Sequence, residues 1–399
     1  MTVGLVLAGG GARGAYEAGV LAELLPWLEA RGERPSVFVG TSVGGMTASY
    51  LASVADRPAA VAAEGLVALW GQVTQDRVIR PIVLHQSPRT VVRYLAELAG
   101  LPGVRLESLL DPAPLHDTIA RWLEWPRVRA NVAAGSTDAL AVVATSVDTE
   151  RAVVFVEGRE QDELPEATLV DYVAGPLADE HVLASAAIPV AFPAVHVERD
   201  DERSGWYYDG GTRLNTPIKP ALDLDVERVV VIATHAPFRR THQEREPQRA
   251  PDFADGAFEL VQATLVDPLI QDLRNLGKIN VLAERLGPEA AAPYRSVPYL
   301  FAGPHETGRL GRVVSEVYSR HFDGLSGALR SLDVTLLTRL LGGESPAHAE
   351  LLSYLFFQRE FVGAAIAAGR EDARELLAAG DPWRTAPIER PAHDGAEQA

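Results

Sequence analysis

Residues 36–47 read SVFVGTSVGGMT, and the rest of the chain is organised around them. Val37, Phe38 and Val39 form a short apolar run of the kind that makes a buried parallel strand. Gly40-Thr41-Ser42-Val43-Gly44 then matches G-x-S-x-G, and the residues from Gly45 to Ala52 are compatible with a helix. Strand, serine turn and helix in that order predict a sharp elbow with Ser42 at its tip. Gly40 and Gly44 suit such a turn because it leaves no room for side chains at those places. Ser42 would stand at the positive end of the following helix, where developing negative charge is favoured. On its own the motif is short and built of common residues, so a nucleophile and a plain strand–helix turn fit it equally well.

Upstream, the apolar run Thr2 to Ala8 enters Gly9-Gly10-Gly11-Ala12-Arg13-Gly14. A helical pattern follows from Ala15 to Ala30, with Val20, Leu21, Leu24, Leu25 and Leu28 on one face. This βα unit places its loop at the carboxyl end of the strand, where α/β folds put ligands. Its glycines let backbone N–H groups point at an anion, and the helix N-terminus adds its dipole. Two successive strands therefore bring glycine-rich loops to the same edge of one sheet.

Downstream, residues 51–132 read mainly helical, broken by prolines, with Trp70, Ile79, Ile82, Leu84, Tyr94 and Leu98 among the apolar positions. These fit ordinary core packing and also a helical cap forming an acyl pocket. Strands are predicted at 139–146 and 151–157, and a helix end halted by Pro189 at 182–192. A further strand at 204–208 leads into Asp209-Gly210-Gly211, and another spans 226–234. Residues 236–256 read as a charged mobile loop, 257–286 as helix, 295–302 as strand and 347–379 as an amphipathic helix pair. The tail from 385 reads as disordered.

Of the 399 residues, 47% are hydrophobic and 23% charged, ample for a sizeable core. The formal net charge of −17 disfavours nucleic acid and anionic membranes as partners, so lipid contact would be apolar and local. With no cysteine there is neither a disulfide nor a thiolate metal site. Neither a signal-peptide pattern nor an uninterrupted membrane-spanning apolar run is visible, which predicts a cytoplasmic protein. Only Lys219 and Lys278 are lysines; the arginine bias reads as genomic base composition.

A serine hydroxyl needs a base. Asp209 acting directly, Asp209 with His235 after the 226–234 strand, and Asp209 merely capping its turn are all compatible with the residues. The spacing Gly9-x-Gly11-x-x-Gly14 also matches a dinucleotide fingerprint. That fold needs an acidic residue at the end of its second strand, and here the strand ends in Gly40-Thr41-Ser42.

The three signatures Gly9 to Gly14, Gly40 to Gly44 and Asp209 to Gly211, in this order, resemble those of bacterial members of the patatin-like phospholipase family. Ala184-Ser185 with Pro189, the run Asp209 to Ala221 (DGGTRLNTPIKPA) and the segment Leu351 to Ala373 support the likeness. It is specific over residues 1–235 and looser to about 379, and no motif marks 55–130. The resemblance implies an α/β three-layer sandwich with a mostly parallel central sheet and helical additions. It implies a catalytic core over 1–235 with a cap-like insertion at 55–130, the 236–256 loop, a helical extension over 257–384 packed on the core, and the 385–399 tail. By it, Ser42 attacks an ester carbonyl and Asp209 is the base of a Ser–Asp dyad. The N–H groups around Gly10, Gly11, Ala12 and Arg13 form the oxyanion hole. Gly9, Gly14, Gly40, Gly44, Gly210 and Gly211 shape the turns. No metal or organic cofactor is implied. The substrate is a phospholipid or lysophospholipid met during transient membrane contact. An acyltransferase using Ser42 and a non-catalytic interaction protein on the same fold are the alternatives.

Overall fold

A computed structural model of the chain describes residues 1–78, 80–81, 110–111, 113–201, 203–237, 253–321 and 346–388. Short valine-, leucine- and alanine-rich runs become one nine-stranded sheet among these residues. Its strands are β1 (Val3–Leu7), β2 (Pro35–Thr41), β3 (Ala139–Ser146), β4 (Ala152–Glu157), β5 (Val170–Ala174), β6 (Val195–Val197), β7 (Gly205–Asp209), β8 (Arg228–Ile232) and β9 (Tyr299–Ala302). They lie in the order β9-β8-β1-β2-β3-β4-β5. The five from β9 to β3 are mutually parallel, β4 runs antiparallel to β3, and β5 is parallel to β4. Leu7 is paired with both Gly40 and Ile232, so the carboxyl ends of β1, β2 and β8 reach one edge together.

Both faces of the sheet are covered, as a mostly parallel sheet requires. Leu5, Leu7, Phe38, Leu140 and Val142 belong to one core, and Val6, Val37, Val39, Ala141 and Val143 to the other. The period of two along each strand produces this division. The first core is completed by α1 (Gly14–Ala30), α2 (Val43–Ser53), α3 (Ala59–Trp70), α4 (Ala113–Trp122) and α5 (Asp179–Ser185); the second by α6 (Ile218–Asp223) and α7 (Asp267–Leu286). The chain is an α/β/α sandwich with helical additions, α8 (Arg309–His321), α9 (Pro346–Leu355) and α10 (Arg359–Ala378) joining the first core.

Several expectations need correction. Helix α1 is buried on more than one face, because α10 covers the side turned away from the sheet. Tyr16 of α1 donates to Asp372 Oδ2 of α10 at 2.9 Å. Strands β5 and β6 escaped the sequence pattern: Asp171 interrupts one and the other has three residues. A helix already begins at Phe253, inside the expected 236–256 loop, while 238–252 lie outside the described residues. Residues 385–388 are packed rather than disordered: Tyr299 donates to the Ala386 carbonyl at 2.8 Å and Ile388 is buried. The rest of that tail, and the apolar positions of the 55–130 region from 82 to 109, lie outside the described residues. Among the described residues no single helix is long and apolar enough to cross a membrane. Residues 347–355 and 359–378 meet that test only together, bent by 104°.

Candidate active site

Strand β3 is longer than its neighbour β2, and that mismatch builds the site. Val37 to Thr41 pair with Ala139 to Val143, and there β2 ends. On the opposite edge β4 runs alongside β3 as far as Thr145. The antiparallel strand β7 therefore takes up the vacated edge, pairing Asp209 with Ala144, Tyr208 with Thr145 and Tyr207 with Ser146. The end of β2 and the end of β7 meet head to head along one edge of β3. Ser42 follows the first and Asp209 terminates the second, although 167 positions separate them in the chain.

Ser42 has φ 56° and ψ −125°, a left-handed conformation unusual for a residue with a side chain. Strain of this kind persists only where the surroundings impose it. Here the imposing contacts are backbone: a Cβ on Gly40 would overlap the Gly44 carbonyl, and one on Gly44 the Leu7 carbonyl. The Ser42 carbonyl accepts the Met46 N–H at 3.1 Å, opening α2. The Ser42 N–H donates to Ser185 Oγ at 2.8 Å, and Ser185 in turn donates to the Val143 carbonyl. Ser185 thus ties the elbow to β3. Its position beside the family-like Pro189 was visible in the sequence, but its partners were not.

Asp209 is 6% exposed. Its Oδ1 accepts the Gly211 N–H at 2.6 Å, while Oδ2 is buried and without a hydrogen-bond partner. Burial pushes the carboxyl up to about 6, against the opposing pull of the Gly211 N–H and the nearby Ser42 hydroxyl. No ordinary hydrogen bond from Ser42 or any other described residue reaches Oδ2. Asp209 N–H donates to the Ala187 carbonyl at 2.9 Å, and its own carbonyl accepts from Thr145 and Thr212 hydroxyls at 3.1 and 2.9 Å. The turn cap and the free carboxylate oxygen are therefore two ends of one side chain. Asn215, also buried, accepts the Gly9 N–H on its carbonyl at 3.1 Å, and its Nδ2 is unpartnered.

The glycine loop passes against the serine: a Cβ on Gly9 would lie 3.3 Å from Ser42 Cβ. Gly11 has φ +55°, and a side chain there would also overlap the Tyr354 carbonyl. Arg13 departs from the expected donor set: its N–H is bonded to the Gly10 carbonyl at 3.1 Å and is not free for an oxyanion. Its side chain is 1% exposed and turned away to α9. Packing of the distant C-terminal helix decides this, and no signal in residues 9–14 reveals it.

Gly11 and Ser42 open onto an apolar cleft of about 720 Å³, open space at its mouth included. Trp70, Val73, Val78, Leu115, Ile119 and Trp122 line it from the 55–130 region, Ile188 and Phe192 from the stretch before β6, and Tyr354, Leu355 and Phe357 from the C-terminal extension. The apolar positions described in 55–130 thus serve as core and as cleft wall at once. His235 is buried away from the serine, sharing hydrogen bonds with the Tyr354 hydroxyl and, at 3.3 Å, with Thr234 Oγ1. Burial, and Arg13 nearby, hold its pKa well below the ordinary histidine range. Among the described residues, His305, Asp372 and Glu375 form one group of metal-ligating types. Asp372 already takes His305 at 2.9 Å, Tyr16 at 2.9 Å and the Arg309 guanidinium at 3.3 Å, and a cation would have to compete with that arginine.

The model of the patatin-like phospholipase family matches residues 5–222. Among solved structures, VipD from Legionella pneumophila is similar over 95% of this chain and 67% of its own, with 14% identity and a TM-score of 0.34. No curated protein matches the sequence. The family match spans more than half of the chain and takes in the glycine loop, the serine elbow and Asp209, and the chain belongs to the patatin-like phospholipases, a family of lipid acyl hydrolases.

Proposed function

We propose that the protein is a serine hydrolase of lipid acyl esters, working through a Ser42–Asp209 dyad on phospholipid or lysophospholipid. The observation that carries this reading is the junction on β3. A strained serine abuts a buried carboxyl with one unpartnered oxygen, at the end of an apolar cleft. An acyl chain lying in the cleft would bring its ester carbonyl to Ser42 Oγ. Asp209 Oδ2 takes the hydroxyl proton as the C–O bond forms. A carboxylate held near 6 is a better base at neutral pH than a solvated one near 4, and is still mostly ionised there.

The tetrahedral intermediate places its charge on the former carbonyl oxygen. The N–H groups of Gly10, Gly11 and Ala12, at the start of the first helical turn, are the proposed donors; each such donor is worth about 3 kcal/mol in the transition state. Collapse expels the alcohol, which takes the proton from Asp209. Water, deprotonated by the same carboxylate, then releases the fatty acid. The rim of the cleft carries exposed Ile188 and, beside it, Val190, suited to transient contact with an uncharged lipid surface. The test is to treat wild type and Ser42→Ala with a fluorophosphonate and weigh the intact proteins. A single adduct on wild type alone is expected. An adduct on neither, with no turnover of a lysophospholipid panel, would overturn the reading.

A further inference from the structure

The loop proposed to hold the oxyanion is Gly-Gly-Gly-Ala-Arg-Gly, and it has almost nothing with which to hold itself. Glycine is the residue with most backbone freedom to lose, yet preorganised donors must not move. Arg13 supplies the loop's only long side chain. Its guanidinium is gripped at all three nitrogens. Nε donates to Ser353 Oγ at 2.7 Å, one terminal nitrogen to the Thr234 carbonyl at 3.4 Å, and the other to both the Glu350 carbonyl at 2.9 Å and the Glu350 carboxylate. The Tyr354 ring packs against its flat face, 4.1 Å from ring centre to guanidinium carbon. Ser353 donates back to the Glu350 carbonyl at 2.6 Å. Glu350 is itself fixed from the far side, since its other carboxylate oxygen accepts the Gly311 N–H at 3.0 Å near the start of α8. All of these partners except Thr234 and Gly311 belong to α9, which also lays the Tyr354 carbonyl against Gly11.

We propose that α9, far beyond the family segment, is a working part of the active site. Glu350 and Ser353 act as positioning residues that hold Arg13 and, through it, the amides of Gly10 to Ala12. Buried ion pairs are poor sources of stability because desolvating both charges offsets most of their attraction. What this one provides is a fixed loop. Arg13, Glu350 and Ser353 do not line the cleft that holds Ser42. The proposal rests on the hydrolase reading for its catalytic consequence, but not for its structural one.

The test uses full-length Glu350→Gln, with Ser353→Ala as a milder second variant. Steady-state kinetics with a micellar lysophospholipid are run at least 15 °C below each measured Tm, alongside hydrogen exchange of the peptide covering residues 9–16. For Glu350→Gln, kcat is expected to fall on the order of 10- to 100-fold with KM within about twofold. The rate of phosphonylation of Ser42 should fall in parallel. Exchange of the loop amides should rise on the order of tenfold, with no change in a β3 peptide. Ser353→Ala should show the same pattern, several-fold weaker. A lowered Tm with unchanged kcat and unchanged loop exchange would overturn the proposal and make the cluster merely structural. A raised KM with kcat held would also overturn it, by making Arg13 a substrate contact. If wild type itself neither turns over ester nor reacts with the fluorophosphonate, the hydrolase reading has failed. The exchange experiment then decides the positioning role by itself.

Discussion

Asp209→Asn separates the cost of the buried carboxylate from its use. The wild-type carboxyl moves from an ordinary 3.8 to about 6 on folding, a shift of about 2 units. At about 1.4 kcal/mol per unit, the ionised form costs the folded state on the order of 3 kcal/mol. The sign follows from proton uptake. Between the two pKa values the folded protein binds more protons than the unfolded chain, so stability contributed by this group falls as pH rises from about 4 to 6. Above that window the full cost is present; below it the carboxyl is neutral in both states and the cost is gone. Asparagine is isosteric and keeps an oxygen for the Gly211 N–H, but it brings a buried amide NH₂ to the place where Oδ2 has no partner. That offsets about 1 to 2 kcal/mol. Asp209→Asn should therefore be more stable than wild type by about 1 to 2 kcal/mol at pH 8, and no more stable at pH 4.5, while ester turnover is abolished. Urea unfolding at the two pH values, with matched m-values, measures this directly. Equal destabilisation at both pH values would refute the reasoning, because it would mean that the carboxylate is stabilised by partners rather than strained by burial.

The same carboxyl predicts a pH–rate profile in which kcat/KM falls about tenfold per unit below pH 6 and is flat from 7 to 8; a break near 4 would remove Asp209 as the free base. His235→Phe should retain most activity, since the imidazole bonds Tyr354 and Thr234 rather than the serine; a loss above a hundredfold would restore a triad. Leu115→Trp, at a half-buried position on the cleft wall, should displace two or three methylenes of a long chain. At about 0.8 kcal/mol each, kcat/KM for a C12 ester should drop on the order of 20-fold relative to a C4 ester; an unchanged ratio would mean that the chain lies elsewhere. Ser42→Gly should raise stability by about 1 kcal/mol at the cost of all turnover, because glycine adopts φ 56° without strain; a lower Tm would contradict the strained elbow.

What the sequence determined by itself is what short-range sterics decide. Gly40 is glycine because the turn around Ser42 brings its Cα against the Gly44 carbonyl, so the elbow could be read from a five-residue motif. The period of two that sends Val37 and Phe38 to opposite cores is likewise local. Gly44 and Gly210, by contrast, are held to glycine by the carbonyls of Leu7 and Val143 on other strands. Strand β5, interrupted by Asp171, and the three-residue β6 lacked enough repeat to be legible. The tertiary structure alone decided which groups meet. Ser42 faces Asp209 because β3 outlasts β2 and β7 occupies the remaining edge, a matter of strand lengths and register that no local pattern encodes. Arg13 looked like a loop residue beside an anion site. It is instead buried under Glu350, 337 positions away, because burying a guanidinium requires a carboxylate and several oxygens, and only the folded C-terminal helix brings them there.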